Sequence, residues 1–285
     1  MRRKLNIGCG RRFHTDWVNL DLDACHPSVL PVNVLKGLPF EDGSFEAVYH
    51  SHLLEHLTPE QGHRLIEDCF RVLEPNGVLR IVIPDLERIA RLYLQLHDNA
   101  WHGDESAAEK YNWIKLELLD QMVRHQSGGM MGRYMASLDE TQESFVRSRI
   151  GAELDLCRES RQQSQPERRE FVSEGKLSSW RNRLSRWVLK LLMGKEALRS
   201  YDETMFRMQG EIHRWMYDRF SLRELCETVG FTEFRVCAAE ESDIDDFNEH
   251  RLDTDGRRVY KPDSLFVECR KPNILRMPMS YKRAA

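Results

Sequence analysis

The stretch Leu5-Asn6-Ile7-Gly8-Cys9-Gly10, followed by Trp17-Val18-Asn19-Leu20-Asp21-Leu22-Asp23, decides how this chain is read. A short apolar strand running into glycines lets the backbone approach a ligand closely. An acidic residue ending the next strand can hold a ribose diol with two hydrogen bonds. The same letters also describe a buried strand ending in an ordinary glycine turn, and the rest of the chain has to separate the two.

Outward from that stretch, Val29 to Leu35, Phe45 to His50 and Leu79 to Ile83 are further short apolar runs bounded by Gly, Pro, Asp or Asn, the pattern of buried parallel strands. A helix lies between the last two. Thr58 reads as its N-cap, Pro59 as its first residue and Gln61 as the capping-box partner, with Leu65, Ile66, Cys69, Phe70 and Leu73 as its apolar stripe. Glu74-Pro75-Asn76-Gly77 stops it and turns the chain into the next strand. A strand, helix, strand unit of this kind argues for a parallel α/β sheet. The connections Cys9 to Asp16 and Ala24 to Ser28 are too short for crossover helices, so the face they leave open is expected to be covered by helices from the middle of the chain or by the C-terminal tail.

The 285 residues, 41% hydrophobic and 31% charged, suit one large core or two small ones and exclude disorder throughout. A net charge of -4 gives no global reason to bind nucleic acid, and no nucleic-acid partner is expected. Seven cysteines without a C-x-x-C pair read as reduced thiols, which favours the cytoplasm. The basic start Met1-Arg2-Arg3-Lys4 is followed by an apolar run too short for a signal peptide, and no run reaches the length of a membrane span. A protein that is neither secreted nor integral is the expectation.

After Pro84, Asp85 reads as the N-cap of a long helical region. Its stripes are Ile89, Leu92, Tyr93 and Leu96, then Tyr111, Ile114, Leu118 and Met122, then Val146, Ile150, Leu154 and Cys157, with Gly128-Gly129 as a break. Residues 158–179 read as a polar linker. Trp180, Leu184, Trp187, Val188, Leu191 and Leu192 then form an apolar face opposite Arg183, Arg186 and Lys190. Such a helix serves either as a lid with a solvated basic face or as a peripheral contact, through 180–192, with an anionic membrane. Ser221 and Glu224 suggest a further capping box and Gly230 a helix stop. Two strands follow, Phe234 to Ala239 and Ser264 to Cys269, joined by the acidic stretch Glu240 to Asp255.

The succession Leu5 to Gly10, Trp17 to Asp21, Leu38-Pro-Phe-Glu-Asp-Gly-Ser-Phe45, Ser51-His-Leu-Leu-Glu-His56 and Phe70-Arg-Val-Leu-Glu-Pro-Asn-Gly77 resembles class I S-adenosylmethionine-dependent methyltransferases of the methyltransferase-11 type. Looser features are His213-Arg-Trp-Met-Tyr-Asp218 and Lys261-Pro-Asp-Ser-Leu-Phe266. The resemblance implies a Rossmann-like α/β methyltransferase fold, a mostly parallel seven-stranded sheet whose last strand is antiparallel. Residues 1–85 and 213–272 would form it, 86–212 would be a helical insertion or lid, and 273–285 a tail. It implies S-adenosyl-L-methionine as cofactor, with contacts from Asn6, Gly8, Cys9, Gly10, Asp21, Leu22, Asn33, Val34 and Ser51. Asn33 stands where relatives often carry an Asp that meets the adenine amine, and Arg12 stands where a third glycine of the loop would be. The open cofactor loop then has to be completed from elsewhere in the chain.

Methyl transfer mainly requires alignment of nucleophile, methyl and sulfur, and a hydroxyl or amine acceptor must also lose a proton. His52 is the candidate base, with Asp85 and His213 or Tyr217 shaping the acceptor pocket, while His56 reads as a structural histidine tying its loop to the next helix. Relatives with the 213–218 and 261–266 features imply O-methylation of a sugar hydroxyl in a bacterial surface glycan or lipid-linked saccharide, at the inner face of the membrane. A small metabolite or quinone-like acceptor is the alternative, and a homodimer is a further partner state the chain can adopt. A cofactor-binding protein without catalysis is a third reading. His52-Leu-Leu-Glu-His56 also matches the H-x-x-E-H pattern of zinc hydrolases, but that motif must lie within a helix and Thr58-Pro59 starts the helix after it, so no metal is expected.

Overall fold

The computed structural model describes residues 3–162, 176–208 and 210–273. Among them, β1 (Lys4–Ile7), β2 (Trp17–Asp21), β3 (Val29–Pro31), β4 (Phe45–Ser51), β5 (Leu73–Pro84), β6 (Thr232–Cys237) and β7 (Ser264–Arg270) form one sheet in the order β3-β2-β1-β4-β5-β7-β6. β1 to β5 pair in parallel, and β7 runs antiparallel to both β5 and β6. β3 is shorter than its apolar run. Pro31 offers no N–H to a ladder, and Asn33 caps a single 3-10 turn over Val34–Lys36.

One face of the sheet is packed by α1 (Pro59–Val72) and α8 (Arg219–Val229), which bring Leu65, Ile66, Cys69, Leu222 and Cys226 onto Leu5, Ile7, Leu20, Val48 and Leu79. α1 starts as its sequence dictates. The Gln61 backbone N–H donates to Thr58 Oγ1 (3.3 Å), and the Thr58 N–H donates to Gln61 Oε1 (3.0 Å). Thr58→Ala should therefore cost about 1 kcal/mol in a urea unfolding curve, and an unchanged midpoint would remove the capping box from the stability of α1. α8 begins earlier than the Ser221 signal suggested. Asp218 is the cap, its Oδ1 accepting the Ser221 and Phe220 N–H groups (2.8 and 3.0 Å), and Ser221 is its partner in the box. A carboxylate at this place satisfies two orphan donors and also meets the positive end of the helix dipole, which a hydroxyl three residues on does not match. α8 stops at Gly230, whose φ of 113° is glycine territory.

Among the described residues the opposite face is not covered by the middle helices, and the tail beyond residue 273 lies outside the described residues. Residues 238–263, the connection between β6 and β7, lie over it, with Ala239, Ile244, Phe247 and Leu252 on Trp17, Ala47, Tyr49 and Val82. The cause is Arg80, a fully buried cation in the middle of β5. It donates to Asp253 Oδ2 (2.8 Å), Glu268 Oε1 (2.8 Å) and the carbonyls of Ala239 (3.0 Å) and Glu241 (2.7 Å), with Phe247 against its guanidinium at 4.6 Å. A buried cation has to be paired, and the acidic stretch that looks solvated supplies Asp253 while β7 supplies Glu268.

Between the two parts of the sheet lies the helical insertion, with α2 (Leu86–Trp101), α3 (Glu105–Val123), α4 (Gly129–Met135), α5 (Glu140–Ile150), α6 (Glu153–Gln162) and α7 (Lys176–Arg207) among the described residues. Its apolar stripes close two small cores, one around Ile89, Leu96 and Ile114 and one around Trp113, Val146 and Leu154. The expected linker 158–179 is helical at both described ends, as part of α6 and of α7, and its middle and the Trp180 side chain lie outside the described residues. α7 bends at Gly194 (φ 83°), and Arg186 pairs with Asp202 across the bend at 2.7 Å.

Candidate active site

β1 feeds directly into Gly8 (φ 66°) and Gly10 (φ 53°) at the carboxyl edge of the parallel strands, where sheets of this kind bind ligands. A Cβ on Gly8 would stand 3.1 Å from Leu53, whereas one on Gly10 would meet nothing within 4 Å. Gly8 is thus needed for packing, and Gly10 borders open space. The Gly10 N–H donates to Asp21 Oδ2 (2.7 Å), and the Asp23 N–H donates to Asp21 Oδ1 (3.0 Å). The carboxylate at the end of β2 is oriented by the loop itself, and each oxygen keeps a further acceptor position. Leu22, beside it, is an exposed apolar side chain.

Other residues expected at the cofactor have partners within the chain. Asn6 is buried and donates to Asn19 Oδ1 (3.2 Å) and to the Arg12 carbonyl (3.1 Å), so its side chain builds the loop instead of facing a ligand. Cys9 is buried too, and burial pushes its thiol up to about 12, which leaves its backbone as the part near a ligand. Asn33 Oδ1 accepts the Leu35 N–H (3.0 Å), with Val34 in the same turn, and Ser51 sits half-buried at the end of β4. The loop is completed from a distance, as its shortness requires, because the Arg12 guanidinium lies 3.4 Å over the Tyr260 ring. Open space at Gly10, a pre-oriented Asp21 and the apolar Leu22 fit a nucleoside carrying an amino-acid chain.

Next to this edge, a cavity of about 760 Å³ opens between the sheet rim and the insertion. His52 lines it with a left-handed backbone (φ 52°), its Nε2 2.8 Å from Ser264 Oγ and its Nδ1 3.0 Å from Glu55 Oε1. Nε2 is engaged by Ser264 and Nδ1 faces Glu55 without a hydrogen bond, so Nε2 receives an acceptor proton only if the Ser264 contact gives way. Burial also lowers its basicity. His213 lines the cavity as well, edge-on to His56 at 4.9 Å, with Nε2 2.9 Å from the Gln121 amide. Burial lowers its pKa to about 3, so it is neutral and a poor proton carrier. Asp85 is not part of the cavity wall. Its Oδ1 accepts the Arg88 N–H (3.1 Å), which makes it the N-cap of α2, a role that holds its carboxylate at the helix end. Tyr217 also falls outside the wall, packed in the core under Gly62.

The sequence reading missed the acids of the insertion side. Asp263 is buried in the wall one residue before β7, whose Ser264 lies opposite Pro84 at the end of β5. Burial and then the nearby Glu117 push its carboxyl up to about 7, against the pull of Arg149 and Lys261. Glu117 itself is held by Arg149 (2.5 Å) and by the Trp113 Nε1–H (2.8 Å). A charged residue one turn beyond Trp113, among the apolar positions of α3, was the available signal for Glu117. For Asp263 it was an acid at the mouth of the only antiparallel strand of the C-terminal pair to meet β5.

Residues 5–81 match the family described as "Methyltransferase domain". No curated protein matches the chain. Similar solved structures include an S-adenosylmethionine-dependent methyltransferase from Archaeoglobus fulgidus, 13% identical over 95% of this chain and 86% of that one, with a TM-score of 0.37. Another is a chain of the Haloferax volcanii complex of the Trm112 methyltransferase activator, 12% identical over 95% and 83%, TM-score 0.37. A third is phosphoethanolamine N-methyltransferase 2 from Haemonchus contortus, in complex with S-adenosyl-L-methionine, 12% identical over 95% and 49%, TM-score 0.36. The class of the protein rests on the sheet order, the strand-end loop and the family match. Residues 5–81 carry the methyltransferase domain, and that match, on a sheet of this order, supports an S-adenosylmethionine-dependent methyltransferase with S-adenosyl-L-methionine as its cofactor.

Proposed function

We propose that the enzyme O-methylates a sugar hydroxyl of a surface glycan or lipid-linked saccharide. The observation that carries this reading is the chemistry of the cavity wall, where Glu117, Gln121, Arg124, Glu153, Lys261 and Asp263 offer charge-assisted acceptors and donors around one space. A ring bearing several hydroxyls can pair with them, whereas a quinone-like acceptor would leave most of them desolvated and unpaired. The bound cofactor supplies an electrophilic methyl group. The protein's part is to exclude water, orient the hydroxyl and take its proton, and a carboxyl titrating near 7, as in Asp263, suits the last task at neutral pH. The test is S-adenosylhomocysteine release with monosaccharides, nucleotide sugars and lipid-linked saccharides set against quinols. Turnover on quinols alone would overturn the acceptor.

A lipid-linked acceptor is supported by α7. Trp187, Leu191 and Leu192 are 60%, 66% and 76% exposed on one side, with Lys190 and Arg186 also at the surface. No helix of the described residues is long and apolar enough to cross a membrane, so contact through α7 would be peripheral, at the inner face of the bilayer. Burying each of these side chains in the interface is worth about 1.5–3 kcal/mol. The double variant Trp187→Glu, Leu191→Glu should therefore reduce sedimentation with phosphatidylglycerol vesicles at least tenfold, and equal sedimentation would remove the membrane contact.

A further inference from the structure

We propose that Glu55, His56 and His213 bind a divalent transition-metal ion in the wall of the large cavity. One oxygen of Glu55 and one ring nitrogen of each histidine lie within 4.8 Å of one another, and all three residues line the cavity. Glu55 is 0% exposed, and neither carboxylate oxygen has a hydrogen-bond partner. His52 Nδ1 is 3.0 Å from Oε1 but out of line for a hydrogen bond. A buried carboxylate left in this way needs a cation beside it.

His56 is already set up as a ligand, and His213 becomes one when a neighbouring amide turns. His56 Nδ1 lies 3.1 Å from the Ile212 carbonyl, so Nδ1–H donates and Nε2 keeps its lone pair. Gln121 Nε2 lies 2.9 Å from His213 Nε2 and donates to it, so the Gln121 amide has to turn its oxygen round before His213 Nε2–H can donate and Nδ1 can offer a lone pair. The Glu55 carbonyl accepts the Arg214 and Trp215 N–H groups (2.7 and 3.2 Å), which locks the two segments carrying the three side chains together. The site differs from the one that the H-x-x-E-H spacing suggests. Leu54–His56 form a single 3-10 turn, so His52 is not stacked one helical turn below His56 but turns to Ser264, and His213 takes the place beside His56. Two imidazoles and one carboxylate suit Zn²⁺, Fe²⁺ or Mn²⁺, and three protein ligands leave a coordination position open to the cavity. Tetrahedral zinc sets its donors about 3.3 Å apart, so the side chains draw in on binding.

The test uses the full chain, stripped with a chelator and titrated with Zn²⁺ by calorimetry and with Co²⁺ by visible absorption. One tight equivalent is expected. His213→Gln and Glu55→Gln should weaken it by about 100-fold or more, since even a second-shell loss costs 10- to 100-fold. His56→Gln, at a half-buried residue, takes their place if they fail to fold. His14, Asp16 and His250 form a second cluster with ligand atoms as close, and His14→Gln should leave the tight equivalent unchanged. Absence of a saturable equivalent in the wild type, wild-type affinity in the site variants, or loss of binding in His14→Gln would each overturn the proposal.

Discussion

Asp263→Asn is expected to lower kcat by about 10²- to 10⁴-fold, the range over which a positioned base contributes, with cofactor affinity unchanged. Asn keeps the shape of the side chain and removes its ability to accept a proton. The pH profile carries the same signature. The Asp263 carboxyl titrates near 7, so the wild-type rate should rise through that region and level off above it, while the residual rate of the variant stays flat. Stability should move in the opposite direction. The folded-state pKa lies above the ordinary carboxyl value of about 3.9, so the folded protein holds this proton more tightly than the unfolded chain does. That contribution is complete below the unfolded value and is lost as pH rises through about 7. The Asn variant, neutral throughout, should therefore be more stable than the wild type at pH 8. A slower enzyme that unfolds at higher urea cannot be explained by structural damage, and a variant of wild-type rate would leave Asp263 without a catalytic role.

How far this site could be seen in the sequence depends on which interactions are local. β1, β2, β4 and β5 are legible because strands buried in the sheet read as apolar runs, and the caps of α1 and α2 are legible because a cap and its partner lie within four residues. Asp21 is legible through its position at the end of a strand next to the glycines. The cover of the second face was not. A lone Arg80 inside the run Val78 to Ile83 shows that buried carboxylates must exist, but nothing local says that they come from Asp253 and Glu268. His52 was found from the end of β4, while the partner that engages its Nε2, Ser264, is 212 residues away. Asp85 carried both a cap signal and a strand-end position, and the cap, which needs only the next three residues, is the role the structure gives it. The basicity of Asp263 is a product of burial against Glu117, a property that exists only after the insertion has packed on the sheet.

Asp21→Ala should weaken S-adenosylhomocysteine binding by about 10²- to 10⁴-fold in calorimetry, since hydrogen bonds to a charged group contribute about 1.5–3 kcal/mol each and two would be lost. The variant also separates two functions of one carboxylate. Asp21 accepts the Gly10 N–H at 2.7 Å and the Asp23 N–H at 3.0 Å, so it orders the loop before any ligand arrives. Asp21→Asn distinguishes ordering from ligand contact. Its amide can present only one oxygen, so it must turn an N–H₂ group toward either the Gly10 or the Asp23 donor and disturb the loop, while keeping a polar group at the ribose position. If ligand contact dominates, Asn should retain more affinity than Ala. If ordering dominates, Asn should be as poor as Ala, because the donor-to-donor clash costs at least as much as an unfilled place. The two variants share the same surroundings, so their ratio is insensitive to global stability, and equal wild-type affinity in both would move the cofactor away from the end of β2.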